Sequence, residues 1–384
     1  MTAPVRILHC HSTFSLGGKE ARAVRLMNAW REGAAHTVLS AMPEQLAARE
    51  AIERGIAVDF PTDAPPLAGK PGPARYAKLA RYMRGFDLVL SYNWGSFDAV
   101  MARRLLAKTL KLPPLVHHED GFNEDEAETL KTKRNLYRRL GLKGAHRLVV
   151  PSERLGRIAL KHWGQAPERV VRISNGVPVA RFAGPPEDKA IPGFTPKPGE
   201  IVIGTVAGLR AVKNLPRLVR AVAAMQRKDV RLVIVGTGPE SERIAAEARA
   251  RGLSTRLLMP GFLADPARWI GHFDIFALSS DSEQFPISLV EAMAAGLPAV
   301  CTAVGDVPGI VSDDNRPLIV APQDEAAFTA ALDTLAERED LRREIGLANR
   351  QKAASLYDED KMIEAYARLY SGAIGRPGAF STER

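Results

Sequence analysis

Two glutamates separated by seven residues, Glu283 and Glu291, are the first candidates for chemistry in this sequence. They lie in the stretch SDSEQFPISLVEAMAAGLPAV at residues 280–300, and no basic residue stands three or four positions from Glu291, the spacing that pairs side chains on a helix. A half-buried carboxylate without a salt bridge accepts hydrogen bonds from other groups, and ligand hydroxyls are good donors. The competing interpretation is that both glutamates are solvated and that Glu283 only improves the helix dipole.

A short helix from Pro286 to Ala295 is predicted to carry Glu291. Proline suits the first turn of a helix, and Gly296 followed by Leu-Pro is a stop signal. The N-cap would then be Phe285, which has no side-chain oxygen to accept from the first-turn N–H groups. Those donors and the positive end of the helix dipole are left for an anion.

Two further loops offer groups that suit phosphate. Arg210 and Lys213 follow a predicted strand in GTVAGLRAVKNL, where two cations can grip a diphosphate. Gly17 and Gly18 precede a helix in HCHSTFSLGGKEARAVRLMNAW, where glycines permit close approach of a ligand to the backbone. The alternatives are solvated loop cations and a tight turn without a ligand.

Histidines and acids follow one another in LVHHEDGFN, which contains His117, His118, Glu119 and Asp120. Histidine beside a carboxylate can carry protons or bind a metal. No second group of histidines or cysteines stands at ligand spacing, so we expect no metal site. The acids at residues 358–360 are predicted to be the charged first turn of a C-terminal helix.

The stretch VIVGTGPESERI has part of a dinucleotide-binding pattern. Gly236 and Gly238 follow a predicted strand, but the third glycine is missing and no acid ends the next strand, TRLLMPG. We therefore predict a packing turn at this point and no nicotinamide or flavin cofactor.

Composition indicates a two-domain globular protein. The chain has 384 residues, 46% hydrophobic and 25% charged, and no apolar run approaches the roughly 18 residues that span a bilayer. The N-terminal stretch lacks a secretory h-region, and Cys10 and Cys301 are the only cysteines. These features predict a cytoplasmic protein with two reduced, buried thiols.

The net charge of +9 is concentrated in KTKRNLYRRLGLKGAHRLVVPSERLGRIALKHWG, residues 131–164. Such a segment can meet anionic lipid, nucleic acid or a phosphorylated substrate. Aromatic residues are few and no nucleic-acid-binding motif accompanies the charge, so we expect no nucleic-acid partner. Contact with an anionic membrane surface and a simple solvated face remain as the two interpretations.

Short apolar segments alternate with helical segments in both halves of the chain, which predicts parallel sheets covered on both faces. A Pro/Gly-rich stretch near residues 180–200 separates the halves. The fold class is therefore predicted to be α/β, with two doubly wound, Rossmann-like domains facing a cleft. Ligands of such sheets bind beyond the carboxyl ends of the strands.

Taken together, these stretches resemble the retaining glycosyltransferases of family 4, which have the GT-B fold. The closest likeness is EQFPISLVEAMAAGLPAVCTAVGDVPGIV, which matches the family's paired glutamates and their surroundings. LGGKEARAVRLM, ISNGVPVARF, AGLRAVKNL and MPGFLADPARWIGHFDIFALSSDSE resemble further family elements in the same order. The likeness covers nearly the whole chain.

The resemblance implies roles for individual residues. Glu283 would bind hydroxyls of the donor sugar, Glu291 the nucleotide ribose, and Arg210 with Lys213 the diphosphate. His118 is favoured over His117 and Asp120 as the acceptor-side group. The catalytic set implied is His118, Glu283, Arg210 and Lys213, and the ligand-binding set is Gly17, Gly18, Gly208, Phe262, Phe285, Pro286, Ile287, Ser288 and Glu291.

Two departures from the family pattern affect these assignments. Family members often have GRL before the lysine, whereas Gly208-Leu209 precedes Arg210 here, so the arginine of this chain stands at a different place in the motif. Family members also tend to have one acceptor-side histidine, where this chain has two.

The function implied is transfer of a sugar, with retention of configuration and without a metal, from a nucleotide-sugar such as a UDP-sugar. The acceptor would be lipid-linked or a saccharide, in polysaccharide or glycolipid synthesis at the inner face of the cytoplasmic membrane. The implied domains are an acceptor-binding domain at 1–180, a donor-binding domain at 200–355, and a C-terminal helix at 356–384 that crosses back to the first. A sugar-nucleotide epimerase and a non-catalytic sugar-nucleotide-binding protein are the alternatives.

Overall fold

The computed structural model describes residues 3–15, 17–122, 126 and 130–380, which form two compact units. The first unit contains residues up to Ser174 and those from Met362 onward, and the second runs from Asn175 to Lys361. The last four residues of the predicted C-terminal segment, 381–384, lie outside the described residues.

The first unit is built on a parallel sheet in the order β3-β2-β1-β4-β5-β6-β7. Its strands are β1 (Val5–His11), β2 (Ala34–Ser40), β3 (Val58–Asp59), β4 (Leu88–Tyr92), β5 (Leu115–His118), β6 (Arg147–Val150) and β7 (Val170–Arg172). Its helices are α1 (Gly18–Trp30), α2 (Pro73–Met83), α3 (Phe97–Leu110), α4 (Thr132–Gly141) and α5 (Glu153–Lys161).

The second unit repeats the design with a parallel sheet in the order β10-β9-β8-β11-β12-β13. Its strands are β8 (Ile201–Val206), β9 (Val230–Val235), β10 (Leu257–Gly261), β11 (Ile275–Leu278), β12 (Ala299–Thr302) and β13 (Ile319–Val320). Its helices are α6 (Leu215–Ala224), α7 (Ser241–Ala250), α8 (Ile287–Ala294), α9 (Val307–Ile310), α10 (Glu325–Glu337) and α11 (Glu339–Leu356).

The last helix, α12 (Glu359–Ile374), contributes most of its length to the first unit. Its first turn carries Glu359 and Asp360, as predicted for the acidic segment. Short 3-10 helices join the elements at Arg31–Gly33, Ala47–Ala51, Trp94–Ser96, Leu142–Gly144, Pro167–Arg169, Val179–Phe182, Ala211–Lys213, Pro266–Arg268, Ile270–His272 and Arg316–Leu318.

Each sheet has an apolar core on both faces, which is why its strands are almost continuously hydrophobic. In the first unit α1 and α12 cover one face and α2, α3 and α5 the other. In the second, α6, α7 and α10 cover one face and α8 the other. The predicted class, two Rossmann-like α/β domains with parallel sheets, is confirmed.

Both cysteines are buried strand residues with free thiols. Cys10 lies in β1 and Cys301 in β12. Burial raises the pKa of the Cys10 thiol to about 12, so the thiolate is scarce at neutral pH. This agrees with the structural interpretation of the two thiols.

Helix α8, which carries Glu291, packs against α11 at its C-terminal end. A Cβ on Gly346 of α11 would lie 2.1 Å from the carbonyl oxygen of Gly296, the residue that ends the α8 turn. The Asn349 amide also donates to the carbonyl of Leu297 at 2.9 Å. Close backbone approach at Gly346 therefore sets the position of α8.

We predict that Gly346→Ala lowers the free energy of unfolding by about 1–3 kcal/mol, since the methyl group must push α11 off the α8 turn. Gly372→Ala in α12 is the control, because nothing lies within 4 Å of its Cβ position and alanine favours helix. Urea unfolding of both variants measures the difference. A Gly346→Ala protein as stable as Gly372→Ala would contradict this account of α8.

Candidate functional site

The second sheet has its topological switch point between β8 and β11. From β8 the chain builds outward to β9 and β10, and then returns to place β11, β12 and β13 on the other side. The loops that follow β8 and β11, residues 207–214 and 279–286, therefore start side by side at the carboxyl edge of the sheet. This is the position at which open α/β sheets bind ligands.

Lys213 and Glu283 meet at this switch point. The Lys213 ammonium lies 2.5 Å from Oε1 of Glu283, and the Ser280 hydroxyl donates to the same oxygen at 2.7 Å. Both side chains are largely but not fully buried. Oε2 of Glu283 has no hydrogen-bond partner within the described part of the chain, so it can accept from a ligand hydroxyl.

A set of polar contacts ties the two loops together beneath this pair. The Asp281 N–H donates to the Val212 carbonyl at 2.8 Å, and the Ser279 hydroxyl donates to the Lys213 carbonyl at 3.1 Å. The Asn214 amide donates to the Asp281 carboxylate. Because these contacts join the two loops, the fold itself holds Lys213 and Glu283 at hydrogen-bonding distance.

Ser279, Ser280, Asn214 and Asp281 were not singled out from the sequence. Only Asn214 carried a local signal, because asparagine tolerates the left-handed backbone and precedes Leu-Pro at a helix start. The structure places Asn214 at φ 42° and ψ 47°, immediately before α6. The contacts of the other three depend on which strands are neighbours, and the sequence pattern does not give strand order.

Arg210 is exposed on the same loop, two residues after Gly208. None of the carboxylates in the described residues forms an ion pair with it, in contrast to Lys213. Gly236 and Gly238 pack closely against the backbone of this loop. A Cβ on Gly236 would lie 1.9 Å from the carbonyl oxygen of Ala207, and a Cβ on Gly238 would lie 2.4 Å from the carbonyl oxygen of Leu209. The packing turn predicted for these two glycines agrees with these contacts.

The start of α8 differs from the prediction. The helix begins at Ile287, and Pro286, at φ −70° and ψ 107°, is the N-cap in place of Phe285. The predicted boundary is wrong by one residue because proline at the N-cap keeps an extended ψ. Phe285 is buried and its ring packs edge-on against Tyr357 at 5.6 Å between centroids.

This correction changes which backbone donors are available. Pro286 has no N–H, and the Leu289 N–H bonds to the Pro286 carbonyl at 3.2 Å. The helix has no side-chain N-cap in the described residues. The donors left for an anion at this helix end are therefore those of Ile287 and Ser288.

Three other groups of the second unit lie near the carboxyl edge of the sheet. Glu291 is half-buried in α8, and Phe262, 60% exposed, follows β10 directly. The side-chain oxygen of Gln284 is buried without a hydrogen-bond partner among the described residues. An unsatisfied buried acceptor carries a desolvation cost that a ligand N–H or O–H can remove.

In the first unit the switch point falls between β1 and β4, and the loop that follows β1 ends at Gly17 and Gly18. Gly17 is the N-cap of α1, and Gly18 is its first residue. A Cβ on Gly17 would lie 2.9 Å from the Glu20 carboxylate, so glycine permits this side chain to fold back over the helix start. Leu16, within the predicted glycine-rich loop, lies outside the described residues.

His118 does not present a free ring nitrogen. The side chain is 1% exposed, its Nδ1–H donates to the Ser91 carbonyl at 3.1 Å, and its Nε2 accepts from the Tyr370 hydroxyl at 2.6 Å. Burial lowers the pKa of His118 to about 3, with Arg22 the next cause. Both ring nitrogens of His118 are therefore engaged by Ser91 and Tyr370 in this structure. His117 is equally buried.

Asp120 reaches the surface of the same loop, with 13% of its side chain exposed. It forms a bidentate ion pair with Arg22 of α1, and its N–H donates to the Asn93 side chain at 2.8 Å. Burial alone would raise the pKa of Asp120, but the Arg22 guanidinium holds it below its usual range. The carboxylate is thus charged and fixed in position.

Beneath this loop lies a buried row of histidines and tyrosines. His9 Nε2 is 3.0 Å from His36 Nδ1, and His9 Nδ1 is 3.2 Å from the Tyr92 hydroxyl. The Tyr92 ring stacks against His11 at 4.0 Å and His118 at 4.6 Å between centroids. Burial is the largest cause that lowers the pKa of all four histidines, that of His36 to about 4.

The predicted site residues therefore fall into two groups. The second unit holds Gly208, Arg210, Lys213, Phe262, Glu283, Phe285, Pro286, Ile287, Ser288 and Glu291, and the first holds Gly17, Gly18 and His118. Across residues 3–15, 17–122, 126 and 130–380, no three His, Cys, Asp or Glu side chains are arranged to hold a metal. In the same residues, no helix has the length and apolar character to cross a membrane.

Two family profiles match consecutive parts of the chain. Residues 16–181 match Glycosyltransferase Family 4, and residues 187–352 match Glycosyl transferases group 1. Together they cover most of the sequence, including both switch-point loops of the second unit.

Curated relatives agree with these matches. A putative glycosyltransferase, EpsF of Bacillus subtilis, is 31% identical over 54% of this chain and 57% of its own length. A D-inositol 3-phosphate glycosyltransferase of Streptomyces scabiei is 27% identical over 61% of this chain and 55% of its own. The chain thus spans about half the length of the curated relatives it matches.

A solved structure of HepE from Anabaena, in complex with UDP, has the same fold. It superposes with a TM-score of 0.78 over 96% of this chain and 100% of its own, at 19% identity.

Acid should destabilise the first unit, because its buried histidines must gain protons when it unfolds. Their folded pKa lies below the unfolded value near 6.5, so the stability they permit is present above pH 6.5 and is lost as the pH falls toward 4 and 3. At pH 5 the loss is roughly 2 kcal/mol for each such histidine. Urea unfolding followed by tryptophan fluorescence at pH 7, 6 and 5 measures it.

His36→Gln should make this pH dependence shallower, whereas the exposed His162→Gln is the matched control. Equal unfolding free energies at pH 7 and pH 5 would show that these histidines are not neutral in the folded protein.

Proposed function

Since this chain belongs to the GT-B glycosyltransferases of family 4, we propose that it transfers a sugar from a nucleotide-sugar donor, a UDP-sugar, to a lipid-linked or saccharide acceptor. The observation that carries the proposal is the meeting of Lys213 and Glu283 at the switch point of the second sheet, beside the exposed Arg210. A cation pair suits a diphosphate, and a carboxylate suits sugar hydroxyls. The UDP held by the HepE structure supports uridine as the nucleoside of the donor.

In this proposal the second unit binds the donor. Arg210 and Lys213 take the diphosphate, together with the N–H groups of Ile287 and Ser288 at the start of α8. Lys213 then shares its charge between the phosphate and Glu283, and Oε2 of Glu283 accepts from a sugar hydroxyl. In the ligand-free protein the ion pair between Lys213 and Glu283 neutralises both side-chain charges before the donor binds.

The nucleoside is placed by the remaining residues of this edge. We assign the ribose hydroxyls to Glu291 and stacking of the base to Phe262, whose exposed ring follows β10. Gly208 lets the backbone after β8 approach the phosphates closely. Phe285 and Pro286 shape the helix start, and the unsatisfied Gln284 oxygen is a further acceptor for a donor hydroxyl.

The first unit, in this proposal, binds the acceptor. Gly17 and Gly18 offer the open start of α1, and Asp120 offers a fixed carboxylate at the end of β5. His118 contributes by position: through Tyr370 and the Ser91 carbonyl it holds the end of β5 and, with it, Asp120.

We propose that transfer retains the anomeric configuration and needs no metal. The C–O bond between the sugar and the diphosphate breaks while the acceptor hydroxyl attacks from the same face, and the departing phosphate oxygen takes the acceptor proton. Arg210, Lys213 and the α8 dipole stabilise the negative charge that develops on the leaving group, which is work that a divalent cation could otherwise do.

The proposed setting is polysaccharide or glycolipid synthesis at the cytoplasmic face of a membrane. Helix α4, within the basic segment 131–164, exposes Leu136 (58%) and Leu140 (48%) on neighbouring turns. Leucines among lysines and arginines suit peripheral contact with anionic lipid. Arg138 is an exception in this segment, since it is buried between Glu119 and Glu126.

Thermal shift with UDP-, GDP-, ADP- and dTDP-sugars tests the donor site. We expect only the UDP-sugars to bind and therefore to raise the Tm. A ligand at 100 times its Kd stabilises the folded protein by about 2.7 kcal/mol. Glu291→Ala should weaken this response by about tenfold in Kd, since a buried ribose hydroxyl loses its charged acceptor. EDTA should not change the result.

Glu344→Ala, an exposed glutamate on α11, is the matched control and should respond as the wild type does. The absence of a Tm rise with every nucleotide class, or an equal response from Glu291→Ala, would count against the donor site. NMR of the product glycosidic linkage then tests retention.

A further inference from the structure

A cavity of about 700 Å³ opens in the first unit at the amino-terminal edge of its sheet. It is bounded by the second half of α3, the 3-10 turn Leu142–Gly144 and the segments that lead into β6 and β7. The switch-point loops of each unit, by contrast, follow the carboxyl ends of their strands. This cavity, named the cationic cavity, has none of the residues assigned to the donor or the acceptor in its lining.

Six cationic side chains line this cavity, and no aspartate or glutamate does. They are Arg103, Arg104, Lys108, Lys143, Arg147 and Arg169. Within the described ranges none of the six forms an ion pair with a carboxylate. Elsewhere in the chain partly buried arginines are paired, as Arg75 is with Asp98.

Hydrogen bonds to the main chain fix several of these cations in place. The Arg103 Nε–H donates to the Pro113 carbonyl at 2.7 Å, and Arg147 donates to the His146 carbonyl at 2.9 Å. Arg169 donates to the Ala145 carbonyl. A guanidinium that is already held loses little conformational entropy when it binds a ligand.

A glycine contact brings the two cationic walls together. A Cβ on Gly144 would lie 2.6 Å from the Cα of Arg104, so only glycine lets the 142–144 turn approach α3 this closely. Lys143 and Arg104 are consequently neighbours across the mouth of the cavity, although they are 39 positions apart.

The charges act on each other as well as on a ligand. Burial lowers the pKa of Arg103, and Arg169 lowers it further. The pKa of His146 is lowered by burial and then by Arg147, Arg103 and Arg169. Like charges held together destabilise the cavity, and an anion inside it would remove that cost.

We propose that the cationic cavity binds a ligand bearing a phosphomonoester, diphosphate or polyphosphate group with two or more negative charges. Planar guanidinium groups match the geometry of phosphate oxygens. Six cations carry more positive charge than one carboxylate would neutralise, which favours a ligand with several negative charges. The cavity is polar and holds few aromatic side chains, so the phosphate is the recognised part. The site does not depend on the proposed transfer reaction.

Isothermal titration with tripolyphosphate tests this site in the full-length protein. Arg104→Glu/Lys143→Glu should raise the Kd at least about tenfold, because two cations become repulsive acids. Lys78→Glu/Arg81→Glu on α2 is the matched control: it makes the same charge change on exposed residues outside the cavity and should leave the Kd unchanged.

Arg210→Ala/Lys213→Ala separates this site from the donor site, since tripolyphosphate binding must persist in that variant. Wild type that does not bind tripolyphosphate, or an Arg104→Glu/Lys143→Glu protein that binds it as wild type does, overturns the proposal. Loss of binding in Arg210→Ala/Lys213→Ala alone also overturns it and places the anion at the donor site.

Cosedimentation with phosphatidylcholine vesicles that contain phosphatidic acid identifies the source of the phosphate. Vesicle binding that the Arg104→Glu/Lys143→Glu change abolishes assigns the cavity to a lipid headgroup. Tripolyphosphate binding without vesicle binding assigns it to a soluble phosphorylated compound.

Discussion

The contact between Lys213 and Glu283 is the interaction on which the account of this protein depends. It forms because β8 and β11 are neighbours, although 70 residues separate the two side chains along the chain. The Asp281–Val212 backbone bond and the Ser279 hydroxyl tie the two loops before any ligand is present. A site so constrained needs little rearrangement to bind, which lowers the entropic cost of association.

The sheet of the first unit has a switch point like that of the second, but different kinds of side chain are buried beneath it. Neutral histidines and tyrosines are buried there, and a charged pair, Arg22–Asp120, closes the layer. Tyr370 joins this layer from α12, so the end of the chain takes part in holding β5. Because burial lowers the pKa of these histidines, they add little positive charge to this layer at neutral pH.

The fold class could be predicted from the sequence, because the alternation of apolar strands and helices is a local pattern. The paired glutamates are also a local pattern, and the structure places one of them, Glu283, beside Lys213 at the switch point. Contacts that depend on strand order could not be foreseen. The burial of His118 requires β4 and α12 beside it, and the cationic cavity requires Gly144 against α3. The start of α8 was missed by one residue because Pro286 fits both the N-cap and the first turn.

The roles of Lys213 and Glu283 can be separated by measuring the affinities of Lys213→Met and Glu283→Gln for UDP and for a UDP-sugar. If Lys213 holds the diphosphate and Glu283 the sugar, Lys213→Met weakens binding of both ligands, whereas Glu283→Gln weakens the UDP-sugar and leaves UDP nearly unchanged. If Glu283→Gln changes the two affinities equally, or neither variant changes either one, the Lys213–Glu283 pair is a structural contact and the donor binds elsewhere.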